Sequence, residues 1–377
     1  MKKVKLTSVC RPKQWKSIPI SELSDVGYPV YGANGVIGYY DSYNHEQETV
    51  IITCRGATCG TVNLTHPRSY VTGNAMCLDN VKDSVDIKYL FYSMQAYDFT
   101  KVISGTAQPQ ITRVGLEKVE ITLPSLDVQR EIVSILDKID ALIEQRRLQL
   151  KKLEELVKAR FVEMFGDPRS NPRGFTKHPL KETCEVITGN TPSRAVIEYY
   201  GDCIEWIKTD NIVSGRLNPT TAKEKLSEIG MEVGRTVDKN SILMACIAGS
   251  IASIGKVCVT DRTVAFNQQI NAIIPHSYNI LFLFILLEMS KDYLVEDINM
   301  ALKGILSKSM LEKKEFIVPP IELQNQFADF VSQIDKSKLL SGCRLFHSWA
   351  PENRDKPKHV GVPRRRTKVL RGGRRQQ

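Results

Sequence analysis

The chain has 377 residues, of which 42% are hydrophobic and 25% charged, and its formal net charge is +10. This length suits two domains of ordinary size, and the composition excludes a fibrous protein and a chain that is disordered throughout. Residues 339–377 hold 11 Lys and Arg against 2 Asp and Glu, which leaves +1 for residues 1–338 and excludes a global positive field on that part.

The predicted elements begin with short β-strands, bounded by Gly, Asn and Asp turn residues. In chain order, the sequence of the first half of the chain then indicates an apolar helix, a last strand, and a long helix that begins after a proline. The same order returns in the second half. The predicted bounds are 49–53, 87–97, 119–123 and 124–165 in the first half, and 241–245, 280–289, 315–318 and 319–338 in the second.

The longest apolar run lies in the second of these apolar helices, at 280–287. It is about half as long as a bilayer-spanning helix, so it predicts a buried core helix and no membrane contact. The N-terminus lacks the apolar stretch and cleavage site of a secretory signal. We therefore expect a cytoplasmic protein.

A repeat of about 195 residues is the strongest pattern in the chain. Residues 116–140 (LEKVEITLPSLDVQREIVSILDKID) align without a gap with residues 311–335 (LEKKEFIVPPIELQNQFADFVSQID). The alignment pairs Gln129 with Gln324, and further upstream Asn74 corresponds to Asn267. The pattern predicts a tandem duplication of one α+β module, in which each copy is followed by a helix.

Both long helices carry a seam of apolar residues at steps of three and four, which is typical of a coiled coil. Arg146 and Arg147 interrupt the first seam. They could mark the register of the helix pairing or a partner contact, and the alternative is that they lie on a solvated face of the helix. The seam comprises Ile132, Leu136, Ile139, Ile143, Leu150, Leu153, Val157 and Met164 in the first helix, and Phe327, Val331 and Ile334 in the second.

The first long helix would measure roughly 60 Å at 1.5 Å per residue. Two like helices that leave two like domains can pair antiparallel and place the domains at opposite ends of a rod. That length is on the order of two turns of duplex DNA, which suits a bipartite target. The alternative is an oligomerisation helix between two unrelated domains.

Motifs for catalysis and metal binding are missing. The sequence contains no Gly-rich phosphate loop, no H-E-x-x-H helix and no G-x-S-x-G turn, and its six histidines are scattered. None of the nine cysteines has the two-residue spacing of a zinc knuckle, and the closest pair, Cys54 and Cys59, has no His nearby. We therefore expect reduced, buried thiols, no metal site and no catalytic residue.

The opening of the first long helix (PSLDVQREI, 124–132), its echo (PPIELQNQF, 319–327) and the duplication resemble the specificity subunit of type I restriction–modification enzymes. Further stretches are similar to its target-recognition domains. They are YPVYGANGVIGYY (28–40), CRGATCG (54–60) and GTAQPQIT (105–112) for one variety, and ITGNTPSR (187–194) and WIKTDNI (206–212) for another. The resemblance covers about residues 1–338.

The resemblance implies an α+β fold with two tandem target-recognition domains of mixed α/β structure, separated by long helices that form an antiparallel coiled coil. The divisions it implies are a first recognition domain at 1–123, a central helix at 124–165, a second recognition domain at 166–318, a shortened second helix at 319–338, and a basic tail at 339–377.

The resemblance also implies a function. Each domain would read one half of an interrupted site in double-stranded DNA, and the helices would dock two methyltransferase subunits and the restriction subunits. S-adenosylmethionine, ATP and Mg²⁺ would belong to those partners, with no cofactor in this chain. The alternatives are a coiled-coil scaffold that binds only proteins, a silent or truncated specificity subunit, and an enzyme such as a fused methyltransferase.

Base edges are read by Arg, Lys, Asn, Gln and hydroxyl side chains on loops, and phosphates by basic side chains. Lys208 and Lys303 suit phosphates, whereas Asn74 and its counterpart Asn267 can equally be capping residues. The predicted DNA contacts are Asn34, Arg55, Thr58, Asn74, Gln108 and Gln110 in the first repeat, and Lys208, Asp210, Asn211, Ser250, Gln268, Gln269 and Lys303 in the second.

The second helix should continue beyond Lys338 if it followed the first, but Pro351, Pro357 and Pro363 forbid a long helix there. One interpretation is a read-through in another frame or a recombination scar that leaves residues 339–377 largely disordered. The other is a basic arm that adds phosphate contacts.

Overall fold

The structure is a computed structural model that describes residues 2–33, 35–105, 108–298 and 304–340. These residues fall into two compact units, which divide between Glu144 and Gln145 within one long helix. The predicted tail beyond Leu340 lies outside the described residues.

The first unit contains nine strands and two short α-helices among its described residues, before the long helix begins. The strands are β1 (Lys2–Lys5), β2 (Arg11–Lys13), β3 (Tyr28–Gly32), β4 (Gly35–Tyr40), β5 (Val50–Thr53), β6 (Val62–Leu64), β7 (Tyr70–Val71), β8 (Ala75–Asp79) and β9 (Glu120–Leu123). The helices are α1 (Ile87–Gln95), α2 (Arg113–Leu116) and the start of α3 (Leu126–Phe165).

The core of the first unit follows from strands that are buried on both faces. In β5, Ile52 packs with Leu90 and Met94 of α1, while its neighbour Ile51 packs with Tyr31 of β3. Successive side chains of a strand point to opposite faces, so an uninterrupted apolar strand needs a cover on each side. Here α1 covers one face of β5 and the sheet that contains β3 covers the other.

The second unit contains ten strands and six α-helices after α3 among its described residues. The strands are β10 (Lys177–Pro179), β11 (Cys184–Thr188), β12 (Tyr200–Ile207), β13 (Lys225–Leu226), β14 (Thr236–Val237), β15 (Ile242–Ala245), β16 (Val257–Val259), β17 (Val264–Phe266), β18 (Ile270–Pro275) and β19 (Glu315–Ile317). The helices are α4 (Leu180–Thr183), α5 (Glu228–Val233), α6 (Ile280–Met289), α7 (Lys291–Val295), α8 (Lys308–Lys313) and α9 (Ile321–Leu340).

The sheet topology confirms the predicted duplication. A four-stranded sheet has the order β2-β8-β5-β6 in the first unit and β11-β18-β15-β16 in the second. A second sheet contains one parallel pair in each unit, β3 with β7 and β12 with β17. An antiparallel pair joins the start of each unit to its last strand, as β1-β9 and β10-β19.

A buried glutamine repeats the same hydrogen bonds in both units. The Gln129 side chain accepts from the backbone N–H of Asp86 (2.9 Å) and donates to the proline carbonyl before its own helix (2.9 Å). Gln324 likewise accepts from Asn279 N–H (2.9 Å) and donates to its proline carbonyl (2.8 Å). Asp86 and Asn279 are the N-caps of α1 and α6. Each glutamine therefore ties its long helix to the apolar helix before it.

The two long helices pair antiparallel within the second unit, as predicted. The ring of Phe161 in α3 lies 5.4 Å from that of Phe327 in α9, and Glu154, two turns earlier in α3, lies 4.0 Å from Lys338, three turns later in α9. Phe282 of α6 completes the contact, with its ring 5.6 Å from Phe161. This aromatic cluster is the centre of the packing between α3, α6 and α9.

The predicted seam is buried where the helices meet. Val157, Phe327 and Val331 are buried, whereas Ile139 is 42% exposed. The remaining members are partly buried, namely Ile132, Leu136, Ile143, Leu150, Leu153, Met164 and Ile334. The first half of the seam, up to Leu150, stays a prediction as a partner surface.

Arg146 and Arg147 are exposed, and Arg146 donates to Gln149 on the same helix (2.6 Å). This placement fits the solvated-face interpretation.

Candidate nucleic-acid interface

The predicted contact residues of the first unit that the structure describes lie at one edge of its parallel strand pair. β3 and β7 run parallel, so the loops that follow them leave from the same edge. Asn74 follows β7 and is exposed, and its carbonyl accepts from the backbone N–H of Cys54 (3.1 Å), which brings the loop after β5 to this edge. Asn34, which follows β3, lies outside the described residues.

A third loop joins the same edge. The backbone N–H of Ile111 donates to the Cys54 carbonyl (3.0 Å), and Arg55 forms a β-bridge with Gln110. Ser104 and Gln110 exchange two backbone hydrogen bonds of 2.9 Å, which close the loop that carries Gln108. Arg55 and Gln108 are exposed and Gln110 is partly buried, so all three lie on one rim.

Thr58 lies in the tight turn beside Arg55. The turn is closed by a hydrogen bond from Thr61 N–H to the Thr58 carbonyl (3.0 Å). Gly56 and Gly60 flank Thr58 with φ of 87° and 95°, a region that L side chains rarely adopt. The two glycines therefore fix the direction in which this loop presents Arg55 and Thr58.

The second unit repeats this arrangement with different side chains. Its parallel pair, β12 and β17, ends beside Lys208 and Asn267, and Asn267 N–H donates to the Ile207 carbonyl (3.0 Å). The backbone N–H of Cys246 donates to the Gln269 carbonyl (2.8 Å), and the Cys246 carbonyl accepts from Leu306 N–H (2.8 Å). These bonds match those of Cys54 in the first unit.

Several predicted contacts are exposed at this second edge. Asp210, Ser250 and Gln268 are exposed, Gln269 is partly buried, and the Gln268 side chain is hydrogen-bonded to the Thr191 hydroxyl. The predicted contact at Lys303 lies outside the described residues.

The side chains of Asn211 and Asn267 form hydrogen bonds within their own loops. Asn211 is buried, and its amide accepts from Lys208 N–H (3.0 Å) and donates to the Thr220 hydroxyl (3.1 Å). This placement corrects the expectation that Asn211 faces a base, because its side chain holds the turn together. Asn267 is also buried and accepts from Gln269 N–H (3.1 Å), which supports the capping interpretation.

Charged groups that the sequence did not single out lie beside Lys208. The Glu224 carboxylate is hydrogen-bonded to the Lys208 ammonium and to Arg194 Nη2 (2.7 Å). Hydrogen bonds from Lys208 and then from Arg194 hold the pKa of Glu224 below its usual range. Both cations lie over Trp206, at 5.0 Å and 5.6 Å from its ring centroid. Glu224 is 16 residues from Lys208 in sequence, so no local pattern could have joined them.

One group of side chains in the described part of the chain has donor atoms suited to a metal ion. The donors of His45, Cys77 and Asp79 lie within 4.8 Å of one another. His45 is hydrogen-bonded through Nε2 to Asp79 (3.0 Å) and through Nδ1 to Asn44 (2.6 Å), and Trp15 donates to the other Asp79 oxygen (3.0 Å). The His and Asp are therefore satisfied by protein partners, and the expectation of no metal stays a prediction.

The eight described cysteines are free thiols. Six are buried as expected, Cys59 is partly buried, and Cys203 is exposed. Burial raises the pKa of Cys246 to about 12, which keeps that thiol protonated and unreactive.

Within the described ranges, no helix is both long enough and apolar enough to cross a membrane.

One known protein family matches the sequence in two segments. A family model for the type I restriction modification DNA specificity domain matches residues 1–155 and again residues 172–342. The two matches follow the duplication.

Proteins described as type I restriction enzyme specificity subunits match parts of the chain. The EcoprrI specificity subunit of Escherichia coli is 32% identical over 115 residues, which are 30% of this chain and 28% of that protein. The MjaVIII specificity subunit of Methanocaldococcus jannaschii is 22% identical over 311 residues, 77% of this chain and 72% of that one.

Solved structures share the fold. The S subunit of a type I restriction–modification system from M. genitalium has a TM-score of 0.61 at 15% identity, over 92% of both chains. A chain from a study of complex assembly and conformational transition of the type I R-M system has a TM-score of 0.51 at 17% identity, over 90% of this chain and 92% of that one.

Proposed function

Because the chain belongs to the family of type I restriction modification DNA specificity domains, we propose that it reads a bipartite, interrupted site in double-stranded DNA. One observation carries the proposal: each unit builds the same loop edge from the same backbone hydrogen bonds, yet presents different side chains there. The first edge offers Arg55 and Gln108, whereas the second offers Lys208 and Gln268. Two like scaffolds with unlike polar rims suit two different half-sites.

The paired helices suit a role in assembly. The exposed apolar residues of α3, such as Ile135, Ile139 and Leu142, lie on a helix that the described residues of the chain leave partly uncovered. We propose that two methyltransferase subunits, and through them the restriction subunits, dock on these helices. The chain itself would perform no chemistry, and S-adenosylmethionine, ATP and Mg²⁺ would act in the partner subunits.

The experiment that tests DNA reading is a binding titration of duplex DNA by the chain in complex with its methyltransferase subunits. We expect binding that selects one sequence and weakens steeply as salt rises, since each phosphate contact contributes a slope of about 0.9 in log affinity against log salt. A complex that binds no duplex at low salt would instead favour the protein scaffold. S-adenosylmethionine binding by the isolated chain would favour the enzyme.

A further inference from the structure

Glu224 is a carboxylate at the loop edge of the second unit that the sequence motifs do not account for. It lies just before β13, and its carbonyl accepts from the backbone N–H of Trp206 in β12 (3.1 Å). One carboxylate oxygen binds Lys208 and the other binds Arg194. The side chain is nevertheless 39% exposed. It is thus anchored from both sides and still open to an incoming group.

The two cations hold the carboxylate in a single position. Trp206 is buried, and both Lys208 and Arg194 lie over its ring, so each cation is fixed by an aromatic face as well as by Glu224. Each carboxylate oxygen can accept about two hydrogen bonds. One position on each oxygen is therefore used, and one on each remains for another donor.

The position of Glu224 connects it to the predicted contact residues. Arg194 belongs to the same loop as Thr191, whose hydroxyl is bonded to Gln268. Lys208 begins the turn that follows β12, beside Asn267. Glu224 therefore lies on the same rim as Gln268, between two basic side chains.

We propose that Glu224 reads the amino group of a cytosine or adenine in the major groove of the second half-site, while Lys208 and Arg194 contact flanking phosphates. This inference rests on the proposed function. In the major groove, cytosine N4 and adenine N6 are donors, whereas guanine O6 and thymine O4 are acceptors. A fixed carboxylate accepts from the first pair and repels the second, so it discriminates amino bases from keto bases.

The test is selection from a duplex library with randomised positions, using the chain in complex with its methyltransferase subunits. For the wild-type complex we expect one position in one half-site to be restricted to cytosine or adenine. Glu224→Gln, which has nearly the same shape but can also donate, should reduce that preference by on the order of tenfold and admit a keto base there. Preferences at all other positions should stay as they are.

Two further variants distinguish base reading by Glu224 from a general effect of charge and from a loss of folding. Asp202→Asn removes an exposed carboxylate of the same unit, paired with Lys225 at 3.9 Å, and should leave the selected sequence unchanged. Arg194→Gln removes a proposed phosphate contact and one of the two groups that hold Glu224, so it should lower the salt slope by about one and weaken the preference at the position that Glu224 reads, and at no other position.

The outcomes are distinct. If Glu224→Gln selects the same bases with the same strength, or loses preference at every position together, Glu224 is only a structural ion pair and the inference is wrong. If the wild-type complex enriches no duplex sequence, the proposed function fails, and the reading role of Glu224 fails with it.

Discussion

Replacing Gln324 by alanine tests whether the repeated glutamine ties each long helix to its apolar helix. Gln324 is fully buried, and its amide satisfies the N–H of Asn279 and the carbonyl of Pro319. Truncation leaves the buried Pro319 carbonyl and the half-buried Asn279 N–H without a partner, at a cost of about 1–3 kcal/mol each, so we expect a loss of roughly 2–6 kcal/mol in the free energy of unfolding of the second unit.

Gln326→Ala is a matched control, since Gln326 is on the same helix but exposed. It should change the free energy of unfolding by less than about 0.5 kcal/mol. The assay is hydrogen exchange resolved by segment, with chemical denaturation as the measure of stability. Protection of the α6 amides at 280–289 should fall in Gln324→Ala and stay unchanged in the control.

The first unit offers the equivalent substitution, at Gln129. Gln129→Ala should lower the protection of α1 at 87–95, because Gln129 accepts a hydrogen bond from the backbone N–H of Asp86, the N-cap of that helix. Equal costs for Gln324→Ala and Gln326→Ala would refute the reasoning, since the buried bonds would then contribute nothing measurable.

Two further predictions concern the second unit. Phe161→Ala, which removes a fully buried ring from the cluster with Phe282 and Phe327, should cost about 3–5 kcal/mol by chemical denaturation, whereas exposed Val162→Ala should cost well under 1 kcal/mol. Burial raises the pKa of Glu288, so the folded state holds its proton more tightly and the free energy of unfolding should decline as pH rises from the usual carboxyl value of 4.5 through the folded pKa. Glu288→Gln should abolish that decline and stabilise the protein at neutral pH; an unchanged pH profile would contradict the assignment.

The helices were the most predictable part of the fold. The apolar helix at 280–289 has the predicted bounds, and the long helix begins at Leu126, two residues after its predicted start at 124. Both have local causes, since a side chain that caps the first turn or a proline before it marks the beginning of each helix. The gapless match around Gln129 and Gln324 also predicted the duplication, because the same buried bonds constrain both copies.

The order of the strands in the sheets could not be predicted from the sequence. β3 and β7 pair across about 40 residues, and β12 and β17 across about 60, so no local periodicity reports these pairs. For the same reason the sequence did not indicate Glu224, which contacts Lys208 and Arg194 only because β12 pairs with β13. Asn211 was placed among the contacts because polar loop residues suit base edges, yet its amide closes its own turn.

The most direct test of the central claim is to co-express the chain with its methyltransferase subunits and map methylated adenines across the genome, for the wild type and for Arg55→Gln. If each unit reads its own half-site, the wild type gives one interrupted motif with a fixed spacer, and Arg55→Gln alters one half of that motif while the other half and the spacer stay the same. A continuous motif, or a variant that changes both halves together, would contradict the account.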